Sequence, residues 1–476
     1  MTLFLSVHFS LSLYYSLWVE KEEVQADECI YYELAHSLAE KGTFADKKPC
    51  FYCPADKPTA FRPPIYPLFL SLILKITGEQ NMIIGVRIIQ CVLGLLFLLM
   101  MHKTCSLIFR DHCADICLVL SCFFQPFIYF YSKILSEFLA GFLTLFLFLL
   151  IRLLQDHKKK IISLTIGLVY ATASLTRPNL IYLGFPIMAG IWLIPSESAV
   201  KKFFHLSLVL IVFLCGLGIW TARNYLALNH FCFLTSSAGY NLYSAAYGEK
   251  DYAKEIEPEI KKKPELMNDE MKADAYFYHK ARNKILKEPH EFIKKIPEKL
   301  AIFLFSDFKQ AQMTDAVPFI FLLLLYLGLI PRVRLFPLYT VILILVFWLI
   351  PFYHAYREIP SIFYFMFRKV TYCITNLYPF IVIGFIPVLS RIKERTAFLP
   401  VLLLIALVML QNSLVLPRIR YRFIIEPYLL MIASCGMIFV TEKIKIILSC
   451  IFKKKCYKNK QIDIQSSSLL KKYESE

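Results

Sequence analysis

The chain is poor in charge. Asp, Glu, Lys and Arg make up only 19% of its 476 residues, against roughly 25% in soluble domains. With 57% hydrophobic and 15% aromatic residues, this excludes an ordinary soluble enzyme. No stretch alternates apolar and polar residues over many segments, which excludes a β-barrel. A Gly-rich phosphate loop, an HExxH zinc motif and a serine-nucleophile elbow are all missing. No repeat of fixed period occurs, and the two halves show no inverted symmetry. Met1 to Val19 has neither Lys nor Arg and no small-residue cleavage site, so a retained first span is expected rather than a removable signal peptide.

What is present is apolar sequence in long runs. They fall at about 1–19, 83–101, 115–131, 137–154, 161–174, 178–194 and 204–222, then at 316–330, 335–351, 374–389, 397–411 and 422–441. The fold class expected is an all-α polytopic membrane protein of about 12 transmembrane helices. Its parts are a transmembrane module at 1–222 with a polar loop at 20–67, a helical segment at 223–315, a second transmembrane module at 316–441 and a basic tail at 442–476. The net charge of +17 belongs to the loops of a membrane protein rather than to a nucleic-acid surface.

Those loops set an orientation, because Lys and Arg accumulate on the cytoplasmic side. With the N-terminus inside, the cytoplasmic loops hold Lys103 and Arg110, Arg152 with Lys158, Lys159 and Lys160, Lys201 and Lys202, Arg332 and Arg334, then Arg391, Lys393 and Arg395. The tail adds nine lysines from Lys443 onward and is suited to anionic lipid. Both termini are then cytoplasmic and the 20–67 loop is exoplasmic. The absence of any Asn-x-Ser/Thr sequon favours a bacterial plasma membrane.

Several residues depart from this pattern. Asp27 and Glu28 head an amphipathic run, Ile30, Tyr31, Leu34, Ala35, Leu38 and Ala39, that stops at Gly42. Acids in a first turn are favoured by the helix dipole, and they serve either as a cap or as a general base. Glu137 opens an apolar run at the membrane boundary, where an ionised group needs a partner. It is either paired with Lys133 at helical spacing or a second active-site acid. Arg62 precedes two prolines that stiffen the backbone around it, with Tyr66 and Phe69 placed to anchor the segment at headgroup level. Arg177, Arg223, Arg418, Arg420 and Lys133 lie at outward ends that the charge rule leaves unexplained. They either snorkel to lipid headgroups or form a phosphate site, which the arginine fork suits. Cys50 and Cys53 are spaced for a local disulfide or remain free thiols, while other cysteines (Cys91, Cys122, Cys215, Cys435) lie within apolar runs.

Taken in order, these motifs resemble the GT-C superfamily of lipid-phosphate-sugar glycosyltransferases, in its bacterial branch similar to protein O-mannosyltransferases and the lipid A aminoarabinose transferase. The resemblance rests on Asp27-Glu28-x-x-Tyr31-Tyr32-x-x-Ala35, on Thr59-Ala-Phe-Arg62-Pro63-Pro64-Ile-Tyr66-Pro67, and on Ser136-Glu137. Further along, it rests on Leu175-Thr-Arg177-Pro178, Trp220-Thr-Ala-Arg223-Asn224-Tyr225, Gly239-Tyr240-Asn241-Leu242 and Arg420-Tyr421-Arg422 with Glu426-Pro427. It covers most of residues 20–430. The Cys50–Cys53 pair and the small outer segment depart from the family pattern.

The resemblance implies Asp27 as catalytic base and Glu137 as a second acid near the acceptor or a metal. It implies Arg62 as a donor-phosphate contact, with Arg223 and Arg420 as further phosphate or structural contacts; Glu28, Tyr66, Lys133 and Arg177 complete the expected substrate site. The expected activity moves a sugar from a polyprenyl-phosphate donor to a hydroxyl of a lipid, polysaccharide or protein acceptor of the cell envelope, with inversion. The bilayer is a partner and nucleic acid is not. No cofactor is required by these residues, although two carboxylates leave a divalent metal ion open. The rival reading is a transporter or flippase for a lipid-linked saccharide precursor, for which Tyr353–Lys369, with His354, Arg357 and Glu358, offers the best site.

Overall fold

A computed structural model describes residues 1–20, 24, 27–45, 56–109, 111–248, 259–260, 262–267, 269–305, 378–390, 398–415, 417–443 and 445–446. The expected spans at 316–330 and 335–351, the Cys50–Cys53 pair and the Tyr353–Lys369 segment lie outside the described residues.

Inside a bilayer every backbone polar group must be satisfied within the protein, which favours helices, and the apolar runs are helical wherever they are described. Helix α1, Thr2–Tyr14, continues into a π-helical turn at Tyr15–Val19. The polar loop contributes α2, Asp27–Lys41, and is followed by α3, Ile65–Thr77. Next come α4, Met82–Ile108, α5, Asp111–Cys122, α6, Gln125–Ser132, α7, Ser136–His157, and α8, Lys160–Ser174. Helix α9, Gly184–Trp192, precedes the 30-residue α10, Ala199–Leu228.

Four described helices are long and apolar enough to cross a membrane, or five if α5 and α6 count as one span bent by 53°. Pro126, at the start of α6, accounts for that bend, because its ring and missing N–H interrupt a continuing helix. The run expected as one span at 178–194 is also divided. It starts as a 3-10 segment, Pro178–Leu183, and only then becomes α9. Arg177, ahead of Pro178, is extended at φ −144° and ψ 119°, as a residue before proline prefers. Exposed Leu210, Ile211, Leu214 and Ile219 on α10 are ordinary for a helix whose solvent is hydrocarbon. The chain is thus a polytopic helical membrane protein.

After α10 come α11, Ala238–Tyr247, and α12, Glu270–Lys287, which pack Tyr243 against Phe277 at 5.1 Å between ring centroids. Helices α13, Pro289–Lys294, and α14, Ile296–Phe305, follow. The C-terminal region supplies α15, Tyr378–Ser390, α16, Leu399–Leu414, a 3-10 segment at Ile419–Ile424, and α17, 426–443.

One aromatic nest joins the two ends of the chain. Phe423 of the 3-10 segment sits 5.6 Å from Phe127, 4.8 Å from Phe130 and 6.3 Å from Phe138, and stacks on Phe97 at 6.1 Å. Room for it comes from Gly141 of α7, where a Cβ would lie 2.6 Å from Phe423 Cε1. In lipid, such close packing over a small residue, rather than hydrophobic drive, holds helices together.

Candidate active site

The site forms where five segment ends meet. Asp27 heads α2, whose buried face is Ile30, Tyr31, Leu34 and Ala35. Gly42 ends that helix in the left-handed region, φ 65°, and returns its N–H to Leu38 O at 3.2 Å, a C-terminal cap that favours glycine. Glu137 lies in the first turn of α7. Arg177 follows α8, Arg62 precedes the proline pair before α3, and Arg420 lies on the 3-10 segment.

Together they make one ion network. Arg62 Nη2 donates to Asp27 Oδ1, and Arg420 Nη2 donates to Asp27 Oδ2, so each carboxylate oxygen has its own arginine. Glu137, whose side chain is 2% exposed, has its Oε1 atom 2.8 Å from Arg177 Nη1 and 3.3 Å from Arg420 Nε. Arg420 therefore bridges the two acids. Aromatic rings flank the guanidinium groups: Arg62 lies over Tyr31 and Phe61 at 5.7 and 5.0 Å, and Arg177 and Arg420 over Tyr421 at 4.7 and 5.4 Å. Such contacts stabilise a partly desolvated cation.

Burial alone would raise the Asp27 pKa, but Arg62, Arg420 and, less strongly, Arg418 outweigh it. They hold the carboxyl well below the usual carboxylate range. Asp27 in turn helps to raise the pKa of Arg62 against the opposing effect of burial. Asp27 is ionised but engaged. Arg62 Nε is a buried N–H group without a hydrogen-bond partner among the described residues, and a donor of that kind suits an additional anion.

The other expected site residues hold the framework around this network. Glu28 Oε1 accepts from Ile134 N at 2.9 Å, fixing the link between α6 and α7. Lys133 is buried and pairs with Glu20 at 3.2 Å, not with Glu137, because the chain is extended at Lys133 and Leu135 before α7 begins. Tyr66 is fully buried within the protein rather than exposed to lipid headgroups. Its hydroxyl donates to Gln90 at 3.3 Å, and its ring meets Tyr31 edge-on at 5.0 Å. Arg223 donates from Nη1 to Thr59 O at 2.8 Å and from Nη2 to Phe44 O at 2.9 Å, with its guanidinium over Phe44 and Trp220. It fastens α10 to the chain leading to Arg62.

Other residues of this framework were not expected. Arg87 donates to the carbonyls of Ser16, Glu20 and Ser132, and Gln90 to those of Tyr131 and Lys133. The signal was available, since both are polar residues inside the apolar run 83–101 and such residues need partners there. Tyr31 and Ser136 share a hydrogen bond of 3.1 Å, and Arg177 Nη1 lies 3.4 Å from the same hydroxyl.

A divalent metal needs several oxygen ligands. Among the described residues no three His, Cys, Asp or Glu side chains gather to hold one. Asp27 and Glu137 are joined through Arg420 instead, so these residues do not fit a metal in this arrangement.

Residues 61–220 match the family model for dolichyl-phosphate-mannose-protein mannosyltransferase. No curated protein matches the chain. Among solved structures, the apo oligosaccharyltransferase of Archaeoglobus fulgidus superposes with a TM-score of 0.51 at 13% identity, covering 94% of this chain and 51% of its own. The complex of the same archaeal enzyme, AglB, with an inhibitory peptide and a dolichol-phosphate gives 0.51 at 11% identity, with 94% and 51% covered. The chain thus spans about half the length of these neighbours. ArnT from Cupriavidus metallidurans, bound to undecaprenyl phosphate, gives 0.38 at 11% identity, with 92% and 77% covered. The family match and the oligosaccharyltransferase fold bear out the resemblance to GT-C glycosyltransferases.

Proposed function

We propose that the chain transfers a sugar from a polyprenyl-phosphate donor to a hydroxyl of a cell-envelope acceptor, on the outer face of the plasma membrane, with inversion. The observation that carries this reading is the Asp27 carboxylate held by Arg62 on one oxygen and Arg420 on the other. Support for the donor class comes from the family description, which names a dolichyl-phosphate sugar, and from the neighbour bound to dolichol-phosphate. The basic loops support cytoplasmic termini and an exoplasmic site.

The network suggests how donor binding activates the base. A donor phosphate arriving beside Arg62 and Arg420 competes with Asp27 for their N–H groups. Once drawn to phosphate, the arginines release the carboxylate, and burial then makes it a better proton acceptor. The acceptor oxygen attacks the anomeric carbon and passes its proton to Asp27, while the bond from that carbon to the phosphate oxygen breaks. The electron pair leaves on polyprenyl phosphate, where the two arginines stabilise the growing charge. Glu137 keeps Arg177 and Arg420 in place during the exchange. Direct displacement inverts the anomeric centre.

The test is transfer from synthetic polyprenyl-phosphate sugars by the full chain in lipid nanodiscs, comparing wild type with Asp27→Asn. A loss of about 10²- to 10⁴-fold is expected for removal of a general base. Undiminished transfer by the variant removes Asp27 as the base. No transfer by wild type, with intact translocation of a lipid-linked saccharide, replaces the reading with a transporter.

A further inference from the structure

Glu270 is a buried acid that the proposed reaction leaves unused. It opens α12, and Asp269 just before it caps that helix by accepting from the backbone N–H groups of Met271 and Lys272. The cap fixes where α12 starts. The Glu270 side chain then reaches a segment more than 200 residues earlier in the chain: Thr59 Oγ1 donates to Oε2 at 2.7 Å and Ala60 N donates to Oε1 at 2.7 Å. Both distances are typical of strong, charge-assisted hydrogen bonds.

That segment leads directly into Arg62, and its polar groups are engaged one after another. Thr59 N donates to Phe44 O at 3.1 Å, and Thr59 O accepts from Arg223. Ala60 O accepts from Ser236 N at 3.1 Å, and Phe61 N donates to Thr59 Oγ1 at 3.0 Å. Ile65 N, beyond the proline pair, donates to Leu175 O at 3.1 Å. Glu270 holds the two residues that start this ladder, and Pro63 and Pro64 transmit the setting to Arg62 because proline fixes its own φ and restricts its neighbour. Close contact between α11 and α12 maintains the arrangement: a Cβ on Gly239 would lie 1.9 Å from Asp274 O.

We infer that Glu270 is a positioning residue for Arg62, so that docking of the helical segment after α10 sets the arginine that receives the donor phosphate. The inference rests on the proposed reaction. It makes that segment part of the donor site, so that displacing α12 weakens the grip on polyprenyl phosphate through Arg62, with no residue of the acid–arginine network substituted. Glu270→Gln replaces the carboxylate by a neutral amide, whose carbonyl oxygen can still accept from Ala60 N while the Thr59 hydroxyl must turn to accept from the NH₂, so both contacts lose their charge assistance. Gly239→Val acts at a distance by pushing α12 away.

Full-length wild type, Glu270→Gln and Gly239→Val are compared in nanodiscs by three measurements: binding of polyprenyl phosphate, steady-state transfer, and hydrogen–deuterium exchange of the peptide containing Ala60. Both variants are expected to speed exchange at Ala60 and to raise the donor KM roughly 10-fold or more, the effect of one lost charge-assisted hydrogen bond. The acceptor KM should stay the same. Wild-type transfer with faster Ala60 exchange but unchanged polyprenyl-phosphate binding and donor KM in both variants overturns the inference and leaves the proposed reaction standing. Unchanged exchange in Glu270→Gln overturns the contact itself. A fall in active fraction with both KM values unmoved identifies a purely structural role and also overturns it. Absence of transfer by wild type sinks the proposed reaction, and the inference falls with it.

Discussion

Arg420 and Asp27 are 393 residues apart in sequence and are joined through Arg420 Nη2 and Asp27 Oδ2. The acid lies near the start of the chain and the arginine beyond the last long polar interval, so the site exists only when both ends of the chain have folded together. Arg420 also lies beside Glu137. One guanidinium thus sets the separation of the two acids on which the proposed chemistry depends.

Arg420→Lys tests that bridge. A lysine keeps the charge but presents a single ammonium rather than a planar fork, so it cannot hold Asp27 and Glu137 together in the same geometry. Transfer should fall about 10²- to 10³-fold, the usual effect of losing a preorganised donor to a developing anion. Thermal stability of the detergent-solubilised protein should change much less than activity. A variant with wild-type turnover under saturating donor shows that Arg420 does not act on the reaction.

The aromatic nest offers a test that substitutes no charged group. Gly141→Val would drive a side chain into the Phe423 ring, shifting the 3-10 segment that carries Arg420. Phe423→Ala would leave a void costing roughly 3 to 5 kcal/mol by the behaviour of buried phenylalanines. Both variants should lose transfer together with thermal stability. Gly141→Ala should be intermediate in both measurements, and an ordering of valine above alanine contradicts the packing account.

Local features of the site were legible in the sequence, whereas its connections were not. Asp27 at the head of an amphipathic helix, Gly42 as its cap and Arg62 fixed before two prolines all follow from residue type and spacing over short distances. That Glu137 prefers Arg177 to Lys133 does not follow, because helical spacing between 133 and 137 presumes a helix, and the chain is extended at Lys133 and Leu135. Tyr66 looked like an interfacial anchor because tyrosine favours interfaces, but Tyr31 and Gln90 provide a buried place for it. Glu270 could not be singled out in a segment of mixed charge. Its partners, Thr59 and the Ala60 N–H, belong to an element far away in sequence, and a backbone donor leaves no mark in composition.

Glu20 and Lys133 form a buried pair, with side chains 5% and 6% exposed. Removing one charge of a buried pair typically costs about 3 to 5 kcal/mol. Glu20→Gln should therefore lower the melting temperature clearly. Replacing both residues by methionine should recover much of the loss, because apolar substitution of a whole buried pair is often neutral. If the single and double variants melt together, the pair contributes little and Glu20 is held by its backbone contacts with Arg87 instead.

The depressed pKa of Asp27 gives the proposed exchange of arginines between acid and phosphate a distinct pH signature. In the donor-free protein Arg62 and Arg420 outweigh burial and keep Asp27 ionised well below the ordinary range. A carboxylate so depressed contributes stability that is fully present above its unfolded pKa of about 3.9 and is lost as pH falls through the lower folded value. Donor-free protein should accordingly show no loss of stability from this residue between about pH 5 and 8. kcat/KM for the donor reports the free enzyme, so it should have no acid limb from Asp27 in that range. kcat reports the donor-bound state, in which the arginines face phosphate and burial acts on Asp27 with less opposition. The acid limb of kcat should therefore lie at higher pH than any limb of kcat/KM. Arg62→Gln, which removes one of the depressing charges at the outset, should raise the acid limb of kcat/KM toward that of kcat. Superimposable profiles for kcat and kcat/KM, unmoved by Arg62→Gln, would show that donor binding leaves the base as it was and that the two arginines are not exchanged.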